Sequence, residues 1–280
     1  MSYGYKTGLK LDGIVYDAQA VSYAFNKSIN EYGNVISSIE GGKIFLSLSD
    51  IPKTNILEWG IKPRQYKSGI IEITGIDENK PIAEEEIKFV YAACVNLKLV
   101  YERDFSNYFT TFLTISSEKI CIGRSNCWIK KEWTIEENET ESNDIPDVKN
   151  LIPKDVAIDG FLYIKERKYE IQAFETEFSQ PDDWKGQPIK EVKGGLLFIT
   201  LKQVADEVIN NWMFQKDIAY DGMITFAPIS RTANAPLQIA FEKGKCISFE
   251  KMLGANIGVR LNLVISTDTL SFNGVEHTNK

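Results

Sequence analysis

"IEGGKIFLSLSD", residues 39–50, and "VKGGLLFITLKQ", residues 192–203, are two versions of one segment, and this segment decides the fold. Each has paired glycines followed by alternating apolar and polar residues, and such alternation predicts a half-buried β-strand. Glycine adopts backbone angles that other residues resist, so the pairs predict a sharp turn or bulge at the start of the strand. The paired glycines are Gly41 and Gly42 in the first segment and Gly194 and Gly195 in the second.

The match extends far beyond these two segments. An offset of 153 residues aligns the first half of the chain with the second over about sixty residues without a gap. After short deletions the offset falls to 152 and then to 150. Ordered matches in one register indicate two homologous domains. The matched pairs include Gln19 with Gln172, Gly33 with Gly186, Trp59 with Trp212, Gly69 with Gly222, Cys94 with Cys246 and Ser116 with Ser266.

We place domain one at residues 6–133 and domain two at residues 156–277, joined by an acidic linker at residues 134–155. The linker includes "TIEENETESNDIPDVKN", which is rich in carboxylates, contains a proline and has almost no apolar periodicity. Such a segment cannot bury enough apolar surface to offset the entropy lost on ordering. It is therefore predicted to be solvated.

Each domain is predicted to be mainly β, with one short α-helix. Segments such as "GIIEITG" (69–75), "TTFLTIS" (110–116) and "RLNLVIS" (260–266) have the alternation or β-branched content of strands. By contrast, "IPKTNILEWGI" (51–61) and "VADEVINNWMF" (204–214) have apolar residues at helical spacing. The predicted architecture is two tandem β-barrels or sandwiches, each with one short helix packed on it.

Trp59 and Trp212 occupy equivalent places in the two predicted helices. Since the loss of a buried tryptophan costs about 3–5 kcal/mol, a structural anchor is the favoured interpretation, and ligand stacking is the alternative. Gly69 and Gly222 match as well, so the predicted structural motif consists of the two tryptophans and six glycines. Its members are Gly41, Gly42, Trp59, Gly69, Gly194, Gly195, Trp212 and Gly222.

The composition excludes several classes of protein. The formal net charge of −7 over 280 residues argues against a nucleic-acid partner, because phosphate binding depends on Lys and Arg. No apolar run is long enough for a signal peptide or a membrane span, so we expect a cytoplasmic protein unless a machine exports it without a cleaved signal. None of the cysteines forms a C-x-x-C pair, and buried free thiols are predicted. They are Cys94, Cys121, Cys127 and Cys246.

No catalytic, cofactor-binding or metal-binding residue is predicted. His277 is the single histidine, so a His relay or a multi-His metal site cannot be built from one chain, and its place near the end predicts a solvated tail residue. The motifs of phosphate loops, dinucleotide folds, serine hydrolases and zinc proteases are absent. The acidic clusters at residues 83–88 and 136–141 read as a loop edge and the linker. Because the copies share almost no polar residue, an enzyme is not expected.

The ordered motifs of domain one resemble the tube protein Hcp (TssD) of type VI secretion systems, in the branch found in Bacteroidetes. A strand beginning L-x-L-D-G, a Y-x-F segment, a polar loop with glycine, a glycine pair before a strand and an E-W in a short helix occur in this order. The residues are Leu9, Leu11, Asp12, Gly13, Tyr23, Phe25, Gly33, Gly41, Gly42, Glu58 and Trp59. Domain two joins this family through the internal alignment.

The resemblance implies two Hcp-like barrels that take part in a hexameric ring of the inner tube, so that three chains would complete one ring. It implies that the chain binds itself, the sheath and the spike, and holds effector cargo in the lumen, without inserting into a membrane. A tube-to-spike hub ring of the same apparatus is an alternative. A small-ligand-binding β-barrel protein outside secretion is another, and a polar cluster kept in both copies would favour it.

Overall fold

The computed structural model describes residues 4–37, 39–77, 80–104, 108–123, 128–134, 157–229, 237–254 and 258–279. Nearly all of the predicted linker lies outside the described residues, as does Cys127. The solvated state of the linker therefore stays a prediction.

Sixteen strands and two helices are formed by the described residues. The first half contains β1 (Gly4–Leu11), β2 (Ile14–Asn26), β3 (Glu40–Leu48), α1 (Thr54–Ile61), β4 (Tyr66–Asp77), β5 (Lys80–Glu102), β6 (Tyr108–Ile122) and β7 (Trp128–Lys130). The second half contains β8 (Ile158–Ile164), β9 (Arg167–Ser179), β10 (Lys193–Gly194), β11 (Leu197–Leu201), α2 (Glu207–Phe214), β12 (Tyr220–Pro228), β13 (Leu237–Gly254), β14 (Gly258–Ser266), β15 (Thr269–Phe272) and β16 (Val275–Thr278).

Each half closes into an antiparallel barrel. In domain one the order around the barrel is β1-β2-β3-β6-β5-β4, and β4 returns to β1. Domain two repeats this order with β8-β9-β11-β14-β13-β12, and β12 returns to β8. Where the strands close the barrel, each has a neighbour on both sides, so this part of the sheet has no exposed edge. The prediction of two tandem β-barrels with one short helix each is confirmed.

The two domains share individual hydrogen bonds as well as the order of their strands. Cys94 lies opposite Ile115 at a bulge in β5, and its Sγ donates to the Asn96 carbonyl at 3.2 Å. In domain two Cys246 lies opposite Ile265 at the equivalent bulge, with an Sγ–O distance of 3.3 Å to Ser248. Burial raises the pKa of Cys94 to about 12 and that of Cys246 to about 11. These thiols and that of Cys121 are buried and form no disulfide with one another, as predicted.

The paired glycines lie where β3 and β10 approach the preceding long strand. Gly41 and Gly42 have φ values of +97° and +74°, and the register of β2 against β3 shifts at this point. A Cβ on Gly41 would lie 2.5 Å from the Ala24 carbonyl oxygen, and one on Gly194 would lie 2.0 Å from that of Glu177. The glycines thus permit a close contact between two backbones.

The two tryptophans fix the helices to the barrels. Trp59 stacks on Phe89 with ring centroids 6.2 Å apart, and its Nε1 donates to the Ala92 carbonyl at 3.0 Å. Both rings are almost fully buried. Trp212 makes the same two contacts in domain two, with Phe241 at 6.2 Å and the Gly244 carbonyl at 2.8 Å.

Gly69 and Gly222 make room for these stacked rings. A Cβ on Gly69 would lie 2.7 Å from the Phe89 ring, and one on Gly222 would lie 2.3 Å from the Phe241 ring. A larger residue would overpack the core at either position. The predicted structural motif therefore lies in two layers of contact, one at the strand entry and one beneath the helix.

Three expectations are wrong in detail. His277 is only 7% exposed, because β16 pairs with β15 and the alternation of the strand turns this ring inward against Phe178, 5.1 Å away. Glu85 and Glu86 lie within β5 rather than at a loop edge.

Val204 precedes α2 and is exposed, so the buried face of this helix consists of Ile209 and Trp212. Asp206 caps α2 by accepting the Ile209 N–H at 3.1 Å.

The Trp212→Ala variant should lower the free energy of unfolding by about 3–5 kcal/mol, because it removes the stack on Phe241 and leaves a cavity. Trp59→Ala should cost a similar amount. Trp184→Ala is the control, since Trp184 is 86% exposed, and it should change the free energy by less than about 0.5 kcal/mol. Urea unfolding measures all three, and equal effects at Trp184 and Trp212 would contradict the anchor role.

Burial lowers the pKa of His277 below its ordinary value of 6.5, so the folded chain favours the neutral ring. The stability that depends on the neutral ring is fully present above pH 6.5 and declines as the pH falls below 6.5. The His277→Gln variant should lose this part of the pH dependence. Unfolding curves of both proteins between pH 8 and about pH 5.5 test this, and parallel declines would rule out His277 as the cause.

Candidate assembly interface

The two barrels are joined edge to edge by a strand pair, which we call the seam. The C-terminal part of β5 pairs antiparallel with the C-terminal part of β9, from Asn96 opposite Ser179 to Glu102 opposite Ala173. Backbone N–H and C=O groups at a sheet edge need partners, and the seam supplies them over seven residue pairs. Because of the seam, the strands of both barrels form one continuous sheet.

One side of the seam is an apolar core shared by both domains. Tyr101 from domain one and Phe174 from domain two both pack against Phe226, with ring centroids 5.0 and 5.1 Å away. Phe109 of domain one packs against the same ring at 5.2 Å. The Tyr101 hydroxyl donates to the Ile158 carbonyl at 2.8 Å, so the polar tip of this buried ring is satisfied. Aromatic packing therefore couples the domains.

The other side of the seam carries polar and charged pairs. Lys98 Nζ lies 2.8 Å from a carboxylate oxygen of Glu175, and Asn96 donates to Glu177 at 2.6 Å. These side chains are partly exposed, so each pair contributes little to stability and serves mainly to select the partner strand and its register.

A cluster of charges closes the end of the seam. Arg103 of domain one forms ion pairs with Asp159 and Glu170 of domain two. Asp104 accepts hydrogen bonds from Arg260, at 3.2 Å, and from Gln172. The Arg103 cation of domain one thus meets two carboxylates of domain two, and the Asp104 carboxylate meets the Arg260 cation and the Gln172 amide.

A loop of domain two, residues 180–190, docks on domain one beside the seam, and we call it the docking loop. The Trp133 indole donates to the Lys185 carbonyl at 3.1 Å, and the Gln187 side chain exchanges two hydrogen bonds with the Thr134 backbone. Asp182 pairs with Lys43 at 2.6 Å. Hydrogen bonds and an ion pair of this kind are typical of a specific interface rather than of a flexible junction.

Burial and the neighbouring Lys43 ammonium lower the pKa of Lys131 to about 8 in this region. The Lys131 Nζ lies 3.4 Å from Ser116 Oγ, next to the docking loop. Its charge is retained at neutral pH because Asp182 and Asp183 of the loop oppose the lowering. The docking loop thereby contributes to the electrostatic environment of domain one.

Gly186 lies at the tip of the docking loop, and Gly33 is its equivalent in domain one. Both have positive φ values, +77° and +78°. A Cβ on Gly186 would lie 2.4 Å from Ser116 Oγ, whereas one on Gly33 would meet no described atom within 4 Å. Residues 27–37, the counterpart of the docking loop, expose large apolar side chains. They are Ile29, Tyr32, Val35 and Ile36.

The outer edges of the two barrels are the counterparts of the seam strands. The segment 20–26 of β2 pairs with β3 on one side, and the segment 248–254 of β13 pairs with β14 on one side. Within the described chain neither has a strand on its other side. The β13 edge leaves Leu253 63% exposed and Ile247 53% exposed. A pair of unsatisfied, partly apolar edges remains, one at each end of the chain.

The residues predicted as the structural motif do not form a ligand site. Gly69, Gly222 and the tryptophans lie in the cores, and the glycine pairs lie at strand entries. The seam residues were missed, although the matches of Gly33 with Gly186 and Ser116 with Ser266 pointed to them. No group of three or more His, Cys, Asp or Glu residues in the described ranges could hold a metal ion. No helix of the described residues has the length and apolar content to cross a membrane.

Two equivalent barrels joined head to tail through strand edges define a duplicated β-barrel protein. The family model for the hemolysin coregulated protein Hcp (TssD) matches residues 3–134 and 156–280, and the chain belongs to this family. The family consists of structural tube proteins of type VI secretion, which self-assemble into rings and tubes, and it is not a family of enzymes.

Among solved structures, the chain is similar to Hcp1 from Flavobacterium johnsoniae, with 21% sequence identity and a TM-score of 0.39. The match covers 43% of this chain and 99% of that one. No curated protein sequence matches the chain.

The Gly186→Ala and Gly33→Ala variants test the docking loop in the single chain. Both place alanine at a positive φ, so the backbone cost is shared, but only Gly186→Ala forces a methyl group against Ser116. Overpacking of this kind costs about 1–3 kcal/mol, and Gly186→Ala should be the more destabilising by that amount. Urea unfolding at low protein concentration measures the difference. Equal losses in the two variants would show that the loop does not dock as described.

Proposed function

We propose that this chain is a tube component of a type VI secretion or related contractile apparatus, and that three chains form one ring of six barrels. The observation that supports it is the seam, since it is a head-to-tail contact. It uses the β5 edge of domain one and the β9 edge of domain two, and among the described residues the equivalent edges at 248–254 of β13 and 20–26 of β2 have no neighbouring strand. A head-to-tail contact that repeats closes into a ring when the rotation permits.

The residues shared by the two copies fit this assembly. Beside the seam, Gly186 of the docking loop lies close to Ser116, and the equivalent residues of the other domain are Gly33 and Ser266. Gln172, which donates to Asp104 across the seam, is matched by Gln19. Gly33 of one chain is therefore proposed to face Ser266 of the next. The few polar residues that survive the duplication serve assembly and not catalysis.

A continuous belt of strands would line the ring. Its order within one chain is β2-β3-β6-β5-β9-β11-β14-β13, and the belt begins and ends at the two unpaired edges. Phe45 and its equivalent Phe198 lie on the face of this belt that points away from the barrel interiors, and they are 50% and 43% exposed. We propose that this face forms the lumen, where such aromatic rings would contact effector cargo.

Tethering two barrels favours ring closure. A linker replaces a bimolecular encounter with an effective concentration in the millimolar range, and closure then requires three contacts between chains in place of six. The remaining partners in this proposal are stacked rings, the sheath and the spike. The ring would assemble in the cytoplasm and leave with the apparatus.

A hub ring between tube and spike is the second candidate, and the chemical difference between the two kinds of edge favours it. Lys98 and Glu175 meet at the seam, whereas the equivalent residues of the outer edges are Glu250 and Ser22. A ring with alternating edges has three-fold symmetry, which suits a three-fold spike. Long stacked tubes in negative-stain micrographs would favour the bulk tube, and single rings would favour the hub.

Native mass spectrometry tests the proposed ring. The purified full chain should give a species of three chains, and negative-stain images should show rings with pseudo-six-fold symmetry. A chain that stays single at high concentration would overturn the proposal.

Hydrogen exchange locates the contact. In the single chain, peptides from the seam strands (96–102 and 173–179) should be protected, while peptides from the outer edges (20–26 and 248–254) should exchange quickly. On assembly the outer edges should become protected and the seam should change little. Protection elsewhere, with the outer edges unchanged, would place the contact between chains on another surface.

A further inference from the structure

We propose that Lys251 of one chain pairs with Glu85 of the next chain, beside Tyr23, and that this pair makes the two outer edges recognise each other and not the edges of the seam. The inference rests on the proposed ring and deepens it, because it specifies which edges recognise each other. It concerns the contact between chains, for which a second copy of this chain is the partner.

The seam gives the position of Lys251 in that contact. Leu99 is fully buried in the seam and lies directly opposite Thr176 of β9. By the internal alignment, Lys251 takes the place of Leu99, and Tyr23 takes the place of Thr176. Lys251 is exposed in the single chain. When the β13 edge joins a β2 edge in the register of the seam, Lys251 lies opposite Tyr23 on the side that faces the barrel interior.

A lysine covered at such a position needs an anion, because an unpaired buried charge is costly. Domain one supplies a carboxylate there: the Tyr23 hydroxyl donates to Glu85 Oε1 at 2.9 Å. Directly opposite residues in antiparallel strands have Cβ atoms about 4.5–5.5 Å apart and point to the same face. The ammonium group of Lys251 thus reaches the Tyr23–Glu85 pair without a change of register.

The equivalent site in domain two has no carboxylate. Leu237 takes the place of Glu85 and Thr176 takes the place of Tyr23, and both are fully buried. Leu99 fits this apolar site in the seam, and Lys251 would not. Conversely, if the β5 edge left the seam and met the β2 edge of another chain, Leu99 would cover Glu85 and leave its charge unpaired.

A second mismatch excludes the pairing of two domain-two edges. Glu250 takes the place of Lys98, so it would lie beside Glu175 and Glu177 on the outer side of the sheet. Like charges in directly opposing strands are destabilising. Each edge therefore accepts one partner and repels the other, as specific interfaces do when they combine attraction with repulsion. The two outer edges therefore recognise each other, whereas the edges of the seam stay paired within their own chain.

Charge reversal tests the pair in the full chain. Lys251→Glu and Glu85→Lys should each raise the chain concentration needed for three-chain assembly by about 30-fold or more, the usual effect of breaking a desolvated charge pair. The double variant in one chain should restore assembly to within a few-fold of the wild type. Lys216→Glu is the matched control: it makes the same charge change just after α2, on no strand edge, and should assemble normally.

Lys251→Met is the variant that separates a loss of assembly from a loss of folding, since it replaces an exposed side chain with an apolar one of similar length. It should fold with an unchanged melting temperature yet assemble poorly, because Glu85 is left without a cation. Three-chain assembly that is equally strong in the wild type and both reversed variants would overturn the pair and leave the ring proposal standing. Loss in the single variants without recovery in the double variant would also overturn it. A wild-type chain that never assembles would overturn the ring itself.

Discussion

The pairing of β5 with β9 is the contact on which the rest of the structure depends. A closed barrel satisfies its own backbone, yet each barrel here has long strands that extend past the closed part and carry unpaired groups. Water or another strand must satisfy these groups. One such edge of each domain is satisfied within the chain, and the remaining two are left at opposite ends. The duplicated chain thus contains both an interface and the means of repeating it.

The residues common to the two copies serve two separate purposes. Trp59, Phe89 and Gly69 and their counterparts fill the layer beneath the helices, where any change of volume affects the core. Gly33 and Ser116 and their counterparts lie at the edges. Other edge residues differ between the copies, such as Lys98 and Glu250, so the edge in the seam and the outer edge present different charges.

The parts of the fold that could be predicted from the sequence are those that local pattern determines. The alternation of apolar and polar residues predicted the strands, and the helical spacing of Trp59 and its apolar neighbours predicted the helix. The pairing of Leu97 with Phe178 could not be predicted, because each strand has an ordinary pattern and the choice of a neighbour is not a local property. His277 was misplaced for a related reason: a polar tail sequence gives no sign that β16 pairs with β15 and turns alternate residues inward. The match of Ser116 with Ser266 was a signal of the interface, but the sequence alone does not show which residue lies against Ser116.

The shared aromatic core around Phe226 has a mechanical consequence. Inside the chain, Tyr101, Phe109 and Phe174 converge on that ring from both domains. At the outer edge Leu253 stands in the place of Tyr101, so the proposed contact between chains would have a smaller apolar centre. If the proposed ring forms, a mechanical load would separate it at every second contact between barrels, and the fragments would be whole chains with both barrels attached.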